Sequence, residues 1–325
     1  MKKLFLVLFF VLSMFTVASC DFGKKDVKKV TIIQLASHEA LGKATEGIIE
    51  GLKENGFKDG ENIKVNVLNP QGNADTLAQM AEQAVLESDM IFCVATPAAQ
   101  AVKTKAEELG SDVPILFTAV TDAAESGIIP SNEHPGGNIT GTSDLNPVKA
   151  QVEMVKELGL SKFGFIYSSD EDNSIIQLNL AKSACRDLDL ELTEFSVTNV
   201  GSDLDLVLNS ITSSDLQAVY IPTDNKMSAN VEHIADVLNN AGIVTIAGEE
   251  SMVNKGATLT FGSVDYFSLG KETGLMGSLI FNGQKPGDLA VRYSPSTDLF
   301  VNKSAVVEFN LPVSEEFLNR ATKII

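Results

Sequence analysis

The 325-residue chain has no tryptophan, only four tyrosines, three histidines and three cysteines, and 25 basic residues against 43 acidic ones. Each shortage closes off a class of function. A formal charge of -18 gives the phosphates of a nucleic acid nothing to bind, so no nucleic-acid partner is expected. His38, His134 and His233 share no metal-ligand spacing with the cysteines, and no metal or cofactor is read from them. No Walker loop, G-x-S-x-G elbow or post-strand G-x-G-x-x-G is present. Nothing therefore nominates nucleotide chemistry or a catalytic triad, and the chain is not read as an enzyme. The missing tryptophan leaves little for stacking on sugar rings. Beyond residue 16 no apolar run approaches the roughly 20 residues of a membrane span.

What is present begins with a short leader. Lys2 and Lys3 precede 13 apolar-rich residues, Leu4 to Thr16, and then Val17-Ala18-Ser19-Cys20. The run is too short to cross a bilayer and suits a secretory signal. Small residues before a cysteine resemble the bacterial lipobox, in which cleavage leaves lipid on the cysteine, here Cys20. Residues 1–19 are accordingly expected to be a lipoprotein signal peptide and 20–29 a lipid-anchored linker. Removing Lys2 and Lys3 takes the charge from -18 to -20. Lys24, Lys25, Lys28 and Lys29 make a solvated basic spacer near the membrane. Cys93, in the apolar run MIFCVAT, and Cys185, in a helical stretch, are expected to be small buried side chains without a disulfide. With 44% hydrophobic and 21% charged residues the remainder can bury a sizeable core.

That remainder alternates strand and helix. Strands are expected at Val30–Leu35, Ile63–Leu68, Met90–Ala95 and Ile115–Val120. Ala44, Ile48, Ile49 and Leu52 fall on one helical face, ended by Asn55-Gly56. After Asn146-Pro147 the pattern restarts, with strands at Phe163–Tyr167, Leu190–Val197, Ala218–Ile221 and Ile243–Ala247. Strict β-α alternation implies parallel sheets covered by helices. The fold class is α/β, with two similar lobes. The expected lobes are 30–143 plus 264–293 and 144–263 plus 294–325. The chain would cross between them near Gly141–Pro147, Phe261–Asp265 and Val291–Pro295.

Polar residues recur at strand ends, where parallel sheets bind ligands. The first lobe offers Gln34, Ser37, His38, Thr96, Pro97, Thr121 and Asp122. The second offers Ser168, Ser169, Asn173, Ser174, Thr223, Asp224, Asn225, Glu249 and Glu250, with Asp265 at a crossing. Each has an ordinary structural reading. Thr96 caps a helix, Thr223-Asp224-Asn225 makes a turn and cap, and Glu249 and Glu250 complement a helix dipole. Taken together, two polar sets facing one cleft point to a shared polar ligand. Hydroxyls and helix N-termini suit a carboxylate, while Asp224 with Glu249 or Glu250 suits an ammonium. Asp224→Ala should then abolish binding and leave the fold intact.

Seven stretches in order, among them PILFTAVTDAAESGII, GNITGTSDLNPVKAQVEMVKEL, YIPTDN and AGEESMVNKGA, carry a resemblance over roughly residues 30–310. The chain resembles substrate-binding lipoproteins of ABC importers, in the branch that takes up tryptophan, tyrosine and related amino acids. The resemblance implies a type I periplasmic-binding fold, two Rossmann-like lobes with a three-segment hinge, and a ligand between them. It implies an ABC permease partner, an extracytoplasmic location and Thr96, Thr121, Asp122, Ser168, Asn173, Ser174, Thr223, Asp224, Asn225 and Glu250 as ligand residues. The run Ser37-His38-Glu39 departs from the family pattern of an acid before the histidine and a proline after it. The expected cargo is an apolar or aromatic amino acid and the soluble body a monomer. A nucleoside or sugar receptor, and after it an extracytoplasmic hydrolase, are the alternatives.

Overall fold

The computed structural model describes residues 27–293 and 296–325. The leader and Cys20 lie outside the described residues, as do Ser294 and Pro295 of the expected third crossing. The first lobe runs β1 (Lys28–Gln34), α1 (Glu39–Glu54), β2 (Ile63–Leu68), α2 (Ala74–Glu87), β3 (Met90–Val94), α3 (Thr96–Leu109), β4 (Ile115–Val120) and β5 (Ile139–Ser143). The chain then enters the second lobe with α4 (Val148–Glu157), β6 (Lys162–Ser168), α5 (Asp172–Leu188), β7 (Glu191–Val197), α6 (Val200–Thr212), β8 (Ala218–Ile221) and α7 (Asn225–Ala229). It continues through α8 (Val231–Asn240), β9 (Val244–Ala247), α9 (Glu250–Asn254) and β10 (Leu259–Phe261). It returns with α10 (Tyr266–Phe281) and β11 (Arg292–Tyr293), and ends in the second lobe with β12 (Leu299–Val301), α11 (Lys303–Glu308), α12 (Glu315–Leu318) and β13 (Lys323–Ile324).

The first sheet has the order β11-β5-β4-β3-β1-β2 and is parallel throughout; the second runs β13-β12-β10-β9-β8-β6-β7 and is parallel except where β12 meets β10. These are the two parallel-sheet lobes of a type I periplasmic-binding fold. Their central strands are largely apolar because helices cover both faces: β3, β4, β8 and β9 are buried at every residue. At about 1.5–3 kcal/mol for each large apolar side chain removed from water, such strands supply much of the driving force for folding. Cys93 and Cys185 are both buried free thiols, in different lobes.

Helix α1 buries Ala40, Leu41, Ala44, Ile48 and Leu52 and lies against α10 at backbone contact distance. Glycines make that approach possible. A methyl group added to Gly270 would sit 2.0 Å from the Ala44 carbonyl oxygen, and one added to Gly47 would sit 2.1 Å from that of Phe267. The first turns of α1 and α10 are thereby locked together, which matters below. The sequence pattern overlooks β5, whose fully buried ITGTS reads as polar and turn-like. Strand β5 carries the first sheet as far as Ser143, the expected end of the first lobe segment.

Candidate functional site

Between the lobes lies a narrow hollow lined by His38, Ala40, Leu41, Ala119, Asp144, Asn173, Thr223, Asn225, Ser228, Glu249 and Tyr266. The ends of β6, β8 and β9 converge here or just beneath. Asp224, fully buried, is the cap of α7. Its Oδ1 accepts from Lys226 N and Met227 N at 2.9 Å each and from Ser168 Oγ at 2.9 Å. Its Oδ2 accepts from Ser168 N at 2.6 Å and Ser174 Oγ at 2.7 Å. Its acceptor capacity is thus used within the protein. Asp224 braces the wall and does not border the hollow, contrary to the ammonium-binding role the sequence suggested.

Beside it, Glu171 Oε2 accepts from Asn225 N (3.0 Å), Asn225 Nδ2 (2.8 Å) and Asn173 Nδ2 (3.3 Å). Asn173 Nδ2 also reaches the Thr223 carbonyl at 2.9 Å, and Gln177 Nε2 donates to Thr223 Oγ1 at 2.8 Å. Gly248 permits this crowding, since a side chain there would strike Thr223 N at 2.7 Å. The neighbouring Glu249 is 2% exposed; its Oε1 accepts from Ser251 Oγ (3.0 Å) and Ser228 Oγ (3.3 Å).

The first-lobe wall differs. Ala40 and Leu41 belong to the first turn of α1, whose cap residue His38 makes no side-chain capping bond. Ala119 stands in the left-handed region at φ 54°, where the β4–β5 register breaks between Phe117 and Val120. Such a break re-aims a side chain, and alanine has the smallest side chain able to occupy that strained backbone short of glycine. Tyr266, at the start of α10, donates from Oη to Asp144 Oδ2 at 2.8 Å. His38 Nε2 faces Asn225 Oδ1 across the cleft at 3.4 Å, and Gln100 Nε2 donates to Asp172 Oδ2 at 2.7 Å nearer the rim.

Burial tunes these groups. It pushes the Asp144 carboxyl up to about 6. Glu249 rises to about 7, through burial and then the Asp144 charge. Burial raises the Tyr266 phenol well above its ordinary range, and it draws the His38 imidazole down to about 4. Four buried atoms on the lining have no hydrogen-bond partner in the protein: Asp144 Oδ1, Glu249 Oε2, Asn173 Oδ1 and His38 Nδ1. Leaving a buried polar atom unpaired costs about 1–3 kcal/mol, so their gathering in one hollow marks a binding surface.

Of the residues marked in the sequence, His38, Asn173, Thr223, Asn225 and Glu249 line the hollow. Ser168, Ser174 and Asp224 support it. Thr121 is buried close by, and its carbonyl accepts from Ser143 Oγ at 2.7 Å. Thr96 begins α3 with Pro97 in its first turn, and its buried hydroxyl has no partner in the protein. Others lie elsewhere. Gln34 is spent on the Ala36 carbonyl and Thr45 Oγ1. Ser37 is exposed and tied to Asn69 and Gln71, and Ser169 is exposed beside Thr198 Oγ. Asp122 closes its own turn through Ala124 N and Glu125 N and holds Asn132. Glu250 pairs with Lys323, Asp265 caps α10, and both line an outer groove. Asp144, Tyr266 and Ser228 escaped the sequence reading. Asp144 sat in a stretch read as a crossing, whereas a hinge segment between two lobes necessarily passes the cleft.

The model for the ABC transporter substrate-binding protein family matches residues 29–325. The chain belongs to that family. It is 34% identical over 295 residues to a tyrosine-binding protein of Clostridioides difficile strain R20291, covering 89% of this chain and 84% of that protein. A solved ABC-domain structure from Streptococcus pneumoniae in complex with L-Trp is 29% identical and superposes with a TM-score of 0.85, over 92% of this chain and 99% of that one. A ligand-free, open structure of a substrate-binding protein with adhesive properties from Clostridium difficile is 30% identical with the same coverages, yet its TM-score is 0.69. A member of this family is an extracytoplasmic substrate-binding component of an ABC importer. Among the described residues no helix is long and apolar enough to cross a membrane.

Proposed function

We propose that the protein captures a free amino acid, apolar or aromatic in its side chain, in the interlobe hollow and hands it to an ABC permease. The carrying observation is the one-sided hydrogen bonding of the lining. Asn173 and Asn225 have their amide hydrogens committed, while Asp144, Glu249 and Asn173 each keep a buried oxygen without a partner. Three outstanding acceptors suit the three N–H bonds of an ammonium, and two of them are carboxyl oxygens. No lysine or arginine lines the hollow. The α-carboxylate is assigned to the first turn of α1 at Ala40 and Leu41, where free backbone N–H groups and the helix dipole favour an anion. Ser228 donates to Glu249 and His38 faces Asn225, so the lining pairs no serine with an imidazole, which supports a role in binding. Cys20 is the proposed lipid anchor, tested by acyl-probe labelling of wild type and Cys20→Ala.

Ligand shifts open to closed by its greater affinity for the closed state. Thermal-shift titration against amino acids, nucleosides and sugars tests the assignment. At a ligand concentration of 100 Kd the gain is about 2.7 kcal/mol. An upward shift is expected with tyrosine or tryptophan. A shift with nucleosides or sugars alone would remove the amino-acid assignment.

A further inference from the structure

We propose that Glu171, which lies beneath the hollow and does not line it, sets the polarity of the site by fixing which ends of Asn173 and Asn225 the cargo meets. This rests on the amino-acid reading above. A side-chain amide can present either its oxygen or its NH₂ group, two ends of nearly equal size, and flips to suit its partners. Glu171 removes that freedom. Its Oε2 takes Asn225 N, Asn225 Nδ2 and Asn173 Nδ2, at 3.0, 2.8 and 3.3 Å. Both amide nitrogens are thereby turned into the wall. Asn173 Oδ1 is left buried without a partner.

The effect crosses the cleft. Asn225 Oδ1, now able only to accept, faces His38 Nε2 at 3.4 Å. The neutral imidazole must then carry its hydrogen on Nε2, which leaves Nδ1 as a bare, buried acceptor. All four unpartnered atoms of the lining are therefore acceptors, and one carboxyl fixes two of them. An ammonium satisfies such a wall; a second carboxylate or a bare carbonyl does not.

The position of Glu171 also argues for this role. It is the cap residue of α5, where serine, threonine, aspartate or asparagine normally bonds the helix's own N–H groups. Glu171 makes no such bond and turns its side chain to the two asparagines. It is 4% exposed, and burial followed by the Asp224 charge pushes its carboxyl up to about 8. A single carboxyl oxygen receives the three N–H bonds, and a glutamine amide oxygen can do the same.

The test measures Kd for L-tyrosine and L-tryptophan, each beside its deaminated analogue, hydroxyphenylpropionate or indolepropionate, in wild type, Glu171→Gln and Glu171→Met. Glu171→Met should weaken the amino acids at least about tenfold, the worth of one charge-assisted hydrogen bond, and leave the deaminated acids nearly unchanged. Glu171→Gln should keep the wild-type ratio. Equal weakening of both ligand classes, or a glutamine variant that behaves like methionine, would overturn the proposal. Failure of the wild type to bind any amino acid would instead remove the reading beneath it. The tautomer gives a second readout independent of how the variants fold. The imidazole nitrogen shifts of wild-type His38, one of three histidines, should show hydrogen on Nε2 and none on Nδ1. The opposite tautomer would sink the chain of orientation from Glu171.

Discussion

On the second-lobe side of the hollow, Glu171, Asn173, Ser168, Ser174, Gln177, Thr223, Asp224 and Asn225 bond one another below the surface; on the first-lobe side, Ala40, Leu41 and Ala119 are held by packing and backbone geometry. The two walls are rigid for different reasons. A buried polar network keeps its shape only while every member is satisfied, so it fails as a unit. A packed helix pair resists by volume, and its failure is graded by how far a neighbour must move. The walls should therefore respond differently to single substitutions.

The largest effect is expected at Asp224→Ala. Five donors lose their acceptor at once, two of them backbone N–H groups of α7. At about 1–3 kcal/mol for each buried donor left unpaired, the variant should lose at least about 3 kcal/mol and fail to bind. Denaturant melts check this. A variant of wild-type stability that merely fails to bind would restore the sequence reading of Asp224 as a ligand contact.

Next is pH, which reaches the unpaired carboxyls. Glu249 moves from 4.5 to about 7 and Asp144 from 3.8 to about 6, both raised chiefly by burial. Raised folded values mean the native state binds more protons than the unfolded chain between the ordinary and folded pKa. Stability without ligand should then fall as pH rises from about 4 to 7, on the order of 3 kcal/mol for each of the two carboxyls at about 1.4 kcal/mol per unit. Bound ammonium favours the charged carboxyls, so affinity should rise across the same window with release of protons. Titration calorimetry in buffers of different ionisation heat measures the release. Affinity flat from pH 5 to 8 would separate the ammonium from Asp144 and Glu249.

The packed wall is probed by Gly270→Ala. Alanine normally stabilises a helix interior by up to about 1 kcal/mol over glycine. Here the added methyl meets the Ala44 carbonyl oxygen at 2.0 Å and must push α10 from α1. A net loss of about 2 kcal/mol is expected, with weaker binding because Ala40 and Tyr266 ride on those helices. A gain in Tm would show that this wall is plastic and the contrast false.

The same contrast governs what could be read from residues alone. Ile115–Val120 emerges at the expected limits because it is buried at every residue and nearly all apolar, and the edge strand Ile63–Leu68 because apolar and polar residues alternate along it. The second-lobe wall was partly legible, since hydrogen-bonding networks need recognisable residues such as Asn173 and Asn225. Whether a polar residue faces the ligand or braces one that does was not legible: Asp224 and Asn225 are adjacent and differ only in which side of a short helix cap they occupy. Ala40, Leu41 and Ala119 carry no chemical signature at all. Asp144 and Tyr266, 122 positions apart, meet only because α10 returns to the first lobe.

The smallest predicted effect lies where the walls touch. Gln100 Nε2 bonds Asp172 Oδ2 at 2.7 Å and holds the Ser126 carbonyl at 3.1 Å, joining α3 to the start of α5. Both ends of the interlobe bond are near solvent, so water replaces much of what is lost on opening. A contribution of about 0.5 kcal/mol to closure follows, a little over twofold in affinity. The bond to Asp172 exists only with the lobes together, so the unliganded melting temperature of Gln100→Ala should fall only by what the Ser126 bond contributes. The loss should appear as faster ligand release with an unaltered association rate, because the encounter precedes closure. Stopped-flow measurement of both rates decides this. A slower association with unchanged release would mean the contact guides entry, and that the lobes approach each other before the ligand arrives.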